Sequence, residues 1–260
     1  MNVSLPHLPK RTKRPRKDGV SMIMDKGLSI RQAEDLIDSA SEFIDFIKLG
    51  FGTSVITKHL AEKIKLYKQA DIKVYFGGTL FESFIIRDMF DDYIAYIDKY
   101  HLDTVEVSDG SIEINHNKKC EYIHKLSKNY TVLSEVGSKE EGVIIHPGLW
   151  IKMMNAELQA GSFKVIAESR ESGTVGIYRS SGHAHTSLVS KITSNVKSEN
   201  IIWEAPKKSQ QVWWIKQMGA NVNLGNIAPE EALSLETLRL GLRGDTFFTF
   251  LPKDISKSIK

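Results

Sequence analysis

Eight short apolar runs in this chain each finish on residues able to do chemistry. In order the endings are Asp25, Lys48, the Gly77-Gly78-Thr79 turn, Glu106 with Asp109, Glu135, Glu168 with Arg170, Glu204 and Asn223. Carboxylates interspersed with Lys48, Lys139 and Arg170 suit a hard divalent cation, which takes oxygen ligands and keeps places for water or substrate oxygens. Small residues follow the polar ones at 135–137, 168–173 and 222–227. Glycine there lets backbone N–H groups approach an anion closely. The last of these turns runs into Ala228-Pro229-Glu230, which reads as a helix start. Gly225 and Asn226 are therefore expected near a helix N-terminus, a favourable place for phosphate.

A set of strand endings meets in one place only if the elements before it converge. The apolar runs lie at 19–24, 43–49, 72–76, 104–107, 130–134, 164–167, 201–203 and 221–224. Each is followed by a stretch of helical periodicity. Ser29 and Gln32 form a capping-box pair ahead of Ala33, Ile37 and Ala40. Further stripes are Ile56, Leu60, Ile64 and Tyr67; Phe81, Ile85, Met89 and Tyr93 on one helix; and a weaker helix at 118–128. Trp150, Met154 and Leu158 follow, then Leu188, Ile192 and Val196, then Val212, Ile215 and Met218, and last Leu235, Leu238 and Leu242.

Strand–helix units cross over right-handedly and give parallel strands. Eight of them in one chain of 260 residues match an α/β protein of the TIM type, a single-domain (β/α)8 barrel over 18–252. An open doubly wound sheet fits less well, because no Gly-x-Gly-x-x-Gly follows the first run. Chemistry in such a barrel lies at the C-terminal strand ends. A packed barrel interior cannot hold this many unpaired charges, since each costs several kcal/mol to bury. Loop residues that merely mark strand ends account for two or three of them, and a ring of acids matched by cations accounts for the rest.

Composition agrees with a globular body. The chain is 41% hydrophobic and 26% charged, which excludes disordered and low-complexity classes. Its net charge of +3 is concentrated in residues 1–17, which hold Lys10, Arg11, Lys13, Arg14, Arg16 and Lys17 and no acid. Without them, 29 basic residues face 32 acidic ones, so the body offers no continuous footprint for a nucleic-acid backbone. The 1–17 stretch reads as a basic, solvated N-terminal tail, with a C-terminal tail at 253–260. Cys120 is the single cysteine and points to a reducing, cytoplasmic compartment. No apolar run approaches the roughly 18–20 residues that span a bilayer, and no export signal stands at the N-terminus.

At the same turns the sequence resembles the phosphosulfolactate synthase family. The stretches that carry the resemblance are MIMDKGL at 22–28, DFIKLGFGTS at 45–54, GGTLFE at 77–82, EVSDG at 106–110 and EVG at 135–137. Others are ESRESG at 168–173, EAP at 204–206, VNLGN at 222–226 and LRLGLRGDT at 238–246. The resemblance implies a TIM-type barrel that adds sulfite to phosphoenolpyruvate with Mg²⁺, giving (2R)-phospho-3-sulfolactate on the way to coenzyme M. Sulfite attack pushes charge onto the carboxylate as an aci-carboxylate, which a metal and fixed cations would hold. A lysine general acid then protonates the substrate.

Within that reading Lys139 is the expected acid and Lys48 the other candidate. Glu106, Glu135 and Glu168 are the expected metal ligands, and Arg170 binds sulfite or carboxylate. Asn223, Gly225 and Asn226 are expected at the phosphate, with Asp25 and Gly78 also on the substrate. Ser138 stands where the family motif carries a first lysine. Lys48 has a structural alternative, pairing with Asp25 or Glu106. The same barrel acting on another phospho-carboxylate, or a stress-related binding protein without turnover, are the competing functions.

Several residues are set aside. His183 and His185 lack a metal-spaced partner, Cys120 lies on an amphipathic helix without an adjacent base, and Arg239 and Arg243 fit a helix-end ion network. Trp203 is expected in the barrel core. Trp213 and Trp214 are expected on a face that supports a homo-oligomer.

Overall fold

Side chains alternate across a strand, so every strand of a closed sheet turns half its residues inward. The computed structural model, which describes residues 2–137 and 145–257, is built on that alternation. The strands are β1 (Ser21–Asp25), β2 (Phe46–Leu49), β3 (Lys73–Phe76), β4 (Thr104–Val107), β5 (Thr131–Val136), β6 (Lys164–Ala167), β7 (Ile201–Glu204) and β8 (Leu224–Ile227). They pair in parallel in the order β3-β2-β1-β8-β7-β6-β5-β4. The two ends, β3 and β4, lie beside each other, so the barrel is nearly closed.

The helical layer comprises α1 (Ile30–Ala40), α2 (Leu60–Gln69), α3 (Gly78–Ile85), α4 (Phe90–Lys99) and α5 (His116–Leu126). It continues with α6 (Pro147–Ala160), α7 (Thr186–Thr193), α8 (Lys208–Met218), α9 (Ala232–Arg239) and the one-turn α10 (Lys253–Lys257) inside the expected C-terminal tail. Among the described residues no helix is long and apolar enough to cross a membrane.

Local chemistry sets several boundaries. Ser29 caps α1 through the Gln32 N–H, while the Gln32 side chain accepts from the Ser29 N–H, as the capping box requires. The stripe from Phe81 to Tyr93 is two helices, not one. Asp88 takes a left-handed φ of 57° between them, a conformation aspartate tolerates better than most residues. The second helix also begins later than its stripe suggests, because His59 is left-handed just ahead of it and Ile56 is left exposed.

Two apolar layers result. Val20, Met22, Phe46, Tyr75, Leu133, Ile166 and Ile202 fill the barrel interior. The outward residues, such as Ile23, Ile47, Val105 and Val165, pack under the helices. Trp203 belongs to this outer layer, where it stacks on Trp214 at 4.2 Å. Trp214 is fully buried, so of the expected aromatic pair only the half-buried Trp213 reaches the surface.

Three arginines of the basic N-terminal segment dock on the barrel, while residues 2–7 are exposed. Arg11 pairs with Glu236 at 2.8 Å and donates to the Ala220 and Gly19 carbonyls. Arg14 donates to the carbonyls of Ile44, Ala70 and Asp71, and Arg16 pairs with Asp45 at 3.1 Å. Apart from Glu236 on α9, those acceptors precede the strands, so three arginines bind the floor of the barrel opposite its mouth. Arg239 completes the floor. It is wholly buried among the Val20, Ala220 and Val222 carbonyls, and burial depresses its pKa to about 9.

Candidate active site

Two residues beyond the apolar plug, the same strands become charged. Phe46, Leu133, Ile166 and Ile202 lie in the interior, and two positions on stand Lys48, Glu135, Glu168 and Glu204. All four are buried, as is Glu106 on β4. Lys48, Glu135, Glu168 and Glu204 open on a cavity of about 430 Å³ lined also by Met24, Phe51, Gly77, Thr79, Ser111, Arg170 and Asn226.

Lys48 is the hub. Its Nζ lies 2.9 Å from Glu106, 3.4 Å from Glu135 and 3.7 Å from Glu204. Burial alone would depress the lysine, but those three carboxylates raise its pKa well above the ordinary value. The acids respond oppositely. Burial, only partly offset by Lys48, raises Glu106 and pushes Glu204 up to about 7. Tyr75, inside the barrel beside Glu106, is raised as well, first by burial and then by that carboxylate.

One ligand oxygen from each of Glu135, Glu168 and Glu204 lies within 4.8 Å of the others. Carboxylates this close repel unless a cation sits among them, and hard divalent ions take such oxygen sets. The donor chemistry fits Mg²⁺ or Mn²⁺. Glu106, expected in that set, lies outside the close trio: it ion-pairs with Lys48 at 2.9 Å and accepts from the Gly78 N–H at 2.5 Å. Glu204 replaces it. The sequence shows Glu204 in the ring, but nothing there ranks four strand-end acids against one another.

Other expected residues leave the mouth. Asp25 follows the inward Met24 and so turns outward, where it ion-pairs with Lys63 at 2.8 Å and accepts from the Tyr67 hydroxyl at 3.0 Å and two backbone N–H groups of the next loop. Its expected alternative pairing with Lys48 is therefore corrected, and the Lys48–Glu106 pairing is the one present. β8 begins three residues later than its expected start, so Asn223 precedes it on the floor. There the amide accepts from Val20 N–H and donates to the Glu199 and Ile201 carbonyls. Gly225 faces the plug: a Cβ would come within 2.6 Å of Met22 and 2.8 Å of Ile202, so no anion reaches it.

Asn226 does line the cavity, in a left-handed conformation with φ of 57°. Arg170 is exposed at the rim, with no ion pair among the described residues, while its neighbour Glu171 pairs with Lys26. Gly78 abuts Glu106 and Ser108 so closely that only glycine fits. Lys139 and Ser138 lie outside the described residues.

The fold and this mouth define a (β/α)8-barrel enzyme of the TIM type. Among solved structures, 3-hexulose-6-phosphate synthase from Salmonella typhimurium shares the fold at a TM-score of 0.54, with 14% identity and coverage of 86% of this chain and 100% of that one. The chain belongs to the (2R)-phospho-3-sulfolactate synthase (ComA) family, whose model matches residues 9–245. The phosphosulfolactate synthase of Bacillus subtilis (strain 168) is 42% identical over 244 residues, 93% of this chain and 97% of the relative. That of Methanothermobacter thermautotrophicus is 41% identical over 92% of this chain and 95% of the relative.

Proposed function

We propose that this protein is a phosphosulfolactate synthase that adds sulfite to the alkene carbon of phosphoenolpyruvate, with a divalent metal held by Glu135, Glu168 and Glu204. The cluster of three buried carboxylates beside Lys48, in a chain of this family, carries the reading. A metal held there would supply Lewis-acid stabilisation of substrate oxygens and help bring two anions together.

The chain's own residues do the rest. Sulfite sulfur bonds to the terminal carbon, the alkene electron pair moves toward the carboxylate, and the adjacent carbon then takes a proton. Arg170 at the rim meets the incoming anion. Lys48 keeps its proton because of its carboxylate neighbours, so it serves as a fixed positive charge where negative charge develops. That leaves the proton transfer to Lys139, two residues beyond Gly137 in the chain. The Gly77-Gly78-Thr79 turn brings backbone close to the cavity, and Asn226 closes the side next to Glu168.

Mixing the protein with Mg²⁺, phosphoenolpyruvate and sulfite should yield phosphosulfolactate by mass spectrometry, and chelation should stop it. Folded protein that gives no product under these conditions would overturn the reading.

A further inference from the structure

Behind the sheet, two buried polar side chains reach the strands that carry the clustered carboxylates. Lys119 on α5 is wholly buried. It donates to Asp109 at 2.8 Å and to the peptide carbonyl of Glu135 at 2.5 Å, and it ion-pairs with Glu157 on α6 at 2.9 Å. Tyr178, in the loop between β6 and α7, donates to the peptide carbonyl of Glu204 at 2.7 Å and accepts from Trp214 at 2.7 Å. Trp214 stacks on Trp203, the residue before Glu204. Neither Lys119 nor Tyr178 lines the cavity.

We propose that Lys119 and Tyr178 are positioning residues which grip the Glu135 and Glu204 peptides from the helical side and so set where those two carboxylates point into the mouth. The proposal rests on the reading of Glu135, Glu168 and Glu204 as a metal-holding set.

The physical case is one of shared atoms. A carbonyl and the side chain of its residue leave the same Cα, so holding the peptide plane holds the Cα–Cβ direction. Ligand sets need placement to within about 0.5 Å and 10–20°. A buried ion pair is weak evidence for stability, since apolar residues of similar volume commonly serve as well. The Lys119–Glu157 pair adds something those residues cannot, a donor on the Glu135 carbonyl. The same ammonium holds Asp109, in the loop whose Gly110 and Ser111 N–H groups are bound by Glu82, and Ser111 lines the cavity.

The test compares the full chain with Tyr178→Phe, the double variant Lys119→Met/Glu157→Gln, and Glu157→Gln alone. It reads thermal melting, Mn²⁺ affinity by calorimetry, and kcat and KM for sulfite addition to phosphoenolpyruvate. Tyr178→Phe and the double variant should bind Mn²⁺ about 10–100-fold more weakly. Their kcat should fall by up to about 100-fold with a much smaller change in KM. Glu157→Gln keeps the bonds from Lys119 to Glu135 and Asp109 and should match the parent in both.

Parent-like Mn²⁺ affinity and kcat in folded Tyr178→Phe and double variants overturn the proposal. So does a Glu157→Gln loss as large as that of the double variant, which would mean charge balance alone. Should the double variant fail to fold, Tyr178→Phe decides. A parent that takes up no Mn²⁺ removes the metal reading and leaves kcat to decide. One that binds Mn²⁺ but adds no sulfite removes the reaction and leaves affinity to decide. If the parent does neither, the positioning proposal falls too.

Discussion

The Nζ of Lys48 stands 2.9 Å from Oε1 of Glu106, and that same oxygen also accepts the Gly78 N–H. The pair ties β2 to β4 across the mouth, next to the seam where β3 and β4 close the barrel. Glu106 is thereby held on the β4 side, apart from the close trio of acids at the ends of β5, β6 and β7 that is proposed to hold a metal.

Lys48→Met should abolish turnover and destabilise the fold. It leaves several buried carboxylates uncompensated, a loss of about 3–5 kcal/mol for a broken buried pair. Adding Glu106→Gln should recover much of the melting temperature without recovering activity. Calorimetry and turnover on the single and double variants separate the electrostatic role from the catalytic one.

Glutamine at Glu135, Glu168 or Glu204 should each weaken Mn²⁺ binding by at least about 100-fold, as expected for loss of a direct ligand when outer partners alone are worth 10–100-fold. Glu106→Gln should weaken it far less, because Glu106 lies outside the close trio of carboxylates. Titration calorimetry on the four variants gives the ranking. Equal losses at all four positions would contradict the assignment.

Glu204 carries a pH dependence whose sign follows from burial. Its pKa rises on folding from 4.5 to about 7, so the folded protein holds that proton more tightly than the unfolded chain. The stability it contributes is complete below about pH 4.5 and is lost as pH rises through about 7. Metal-free protein should therefore lose melting temperature over that window relative to Glu204→Gln. Saturating Mg²⁺ should remove the difference by favouring the ionised acid.

Gly78→Ala places a Cβ 2.3 Å from Ser108 Oγ and 2.7 Å from Glu106 Oε1. Overpacking of this kind costs about 1–3 kcal/mol. Because the displaced atom belongs to the Lys48 partner, turnover should fall by more than the lost stability alone explains. Activity measured well below the melting temperature checks this.

Arg170 and Lys139 should separate kinetically. Arg170→Gln at the exposed rim should leave melting unchanged and raise KM for the anionic substrates by about 10-fold, the equivalent of 1.4 kcal/mol of lost attraction. Lys139→Ala should lower kcat by about 10²–10⁴-fold, the usual worth of a proton donor, with little change in KM. Steady-state kinetics on the two variants shows whether binding and proton transfer divide this way.

Much of the molecule is legible in one dimension. Eight apolar runs with helical stretches between them specify parallel crossovers, and the Ser29–Gln32 pair sets the start of α1. Lys48, Glu106, Glu135 and Glu168 read as strand-end charges and do meet in the mouth. Asp25 and Asn223 read as polar strand ends and Gly225 as a phosphate-turn glycine, and none of the three reaches the mouth. The reason lies in the strands themselves. A barrel strand is apolar on both faces, so the period-2 signal that would tell an inward Lys48 from an outward Asp25 is erased. The start of β8, three residues later than the apolar run suggests, sends Asn223 to the floor and turns Gly225 into the plug.

Sequence by itself determined the architecture, the family and the inventory of charges, because hydrophobic periodicity and turn chemistry are local. Tertiary structure alone decided that Glu204 joins Glu135 and Glu168 while Glu106 goes to Lys48, and that arginines of the N-terminal segment bind the floor. Those pairings depend on strand parity, stagger and distance across the barrel, quantities that exist only once all the strands have closed around a common axis.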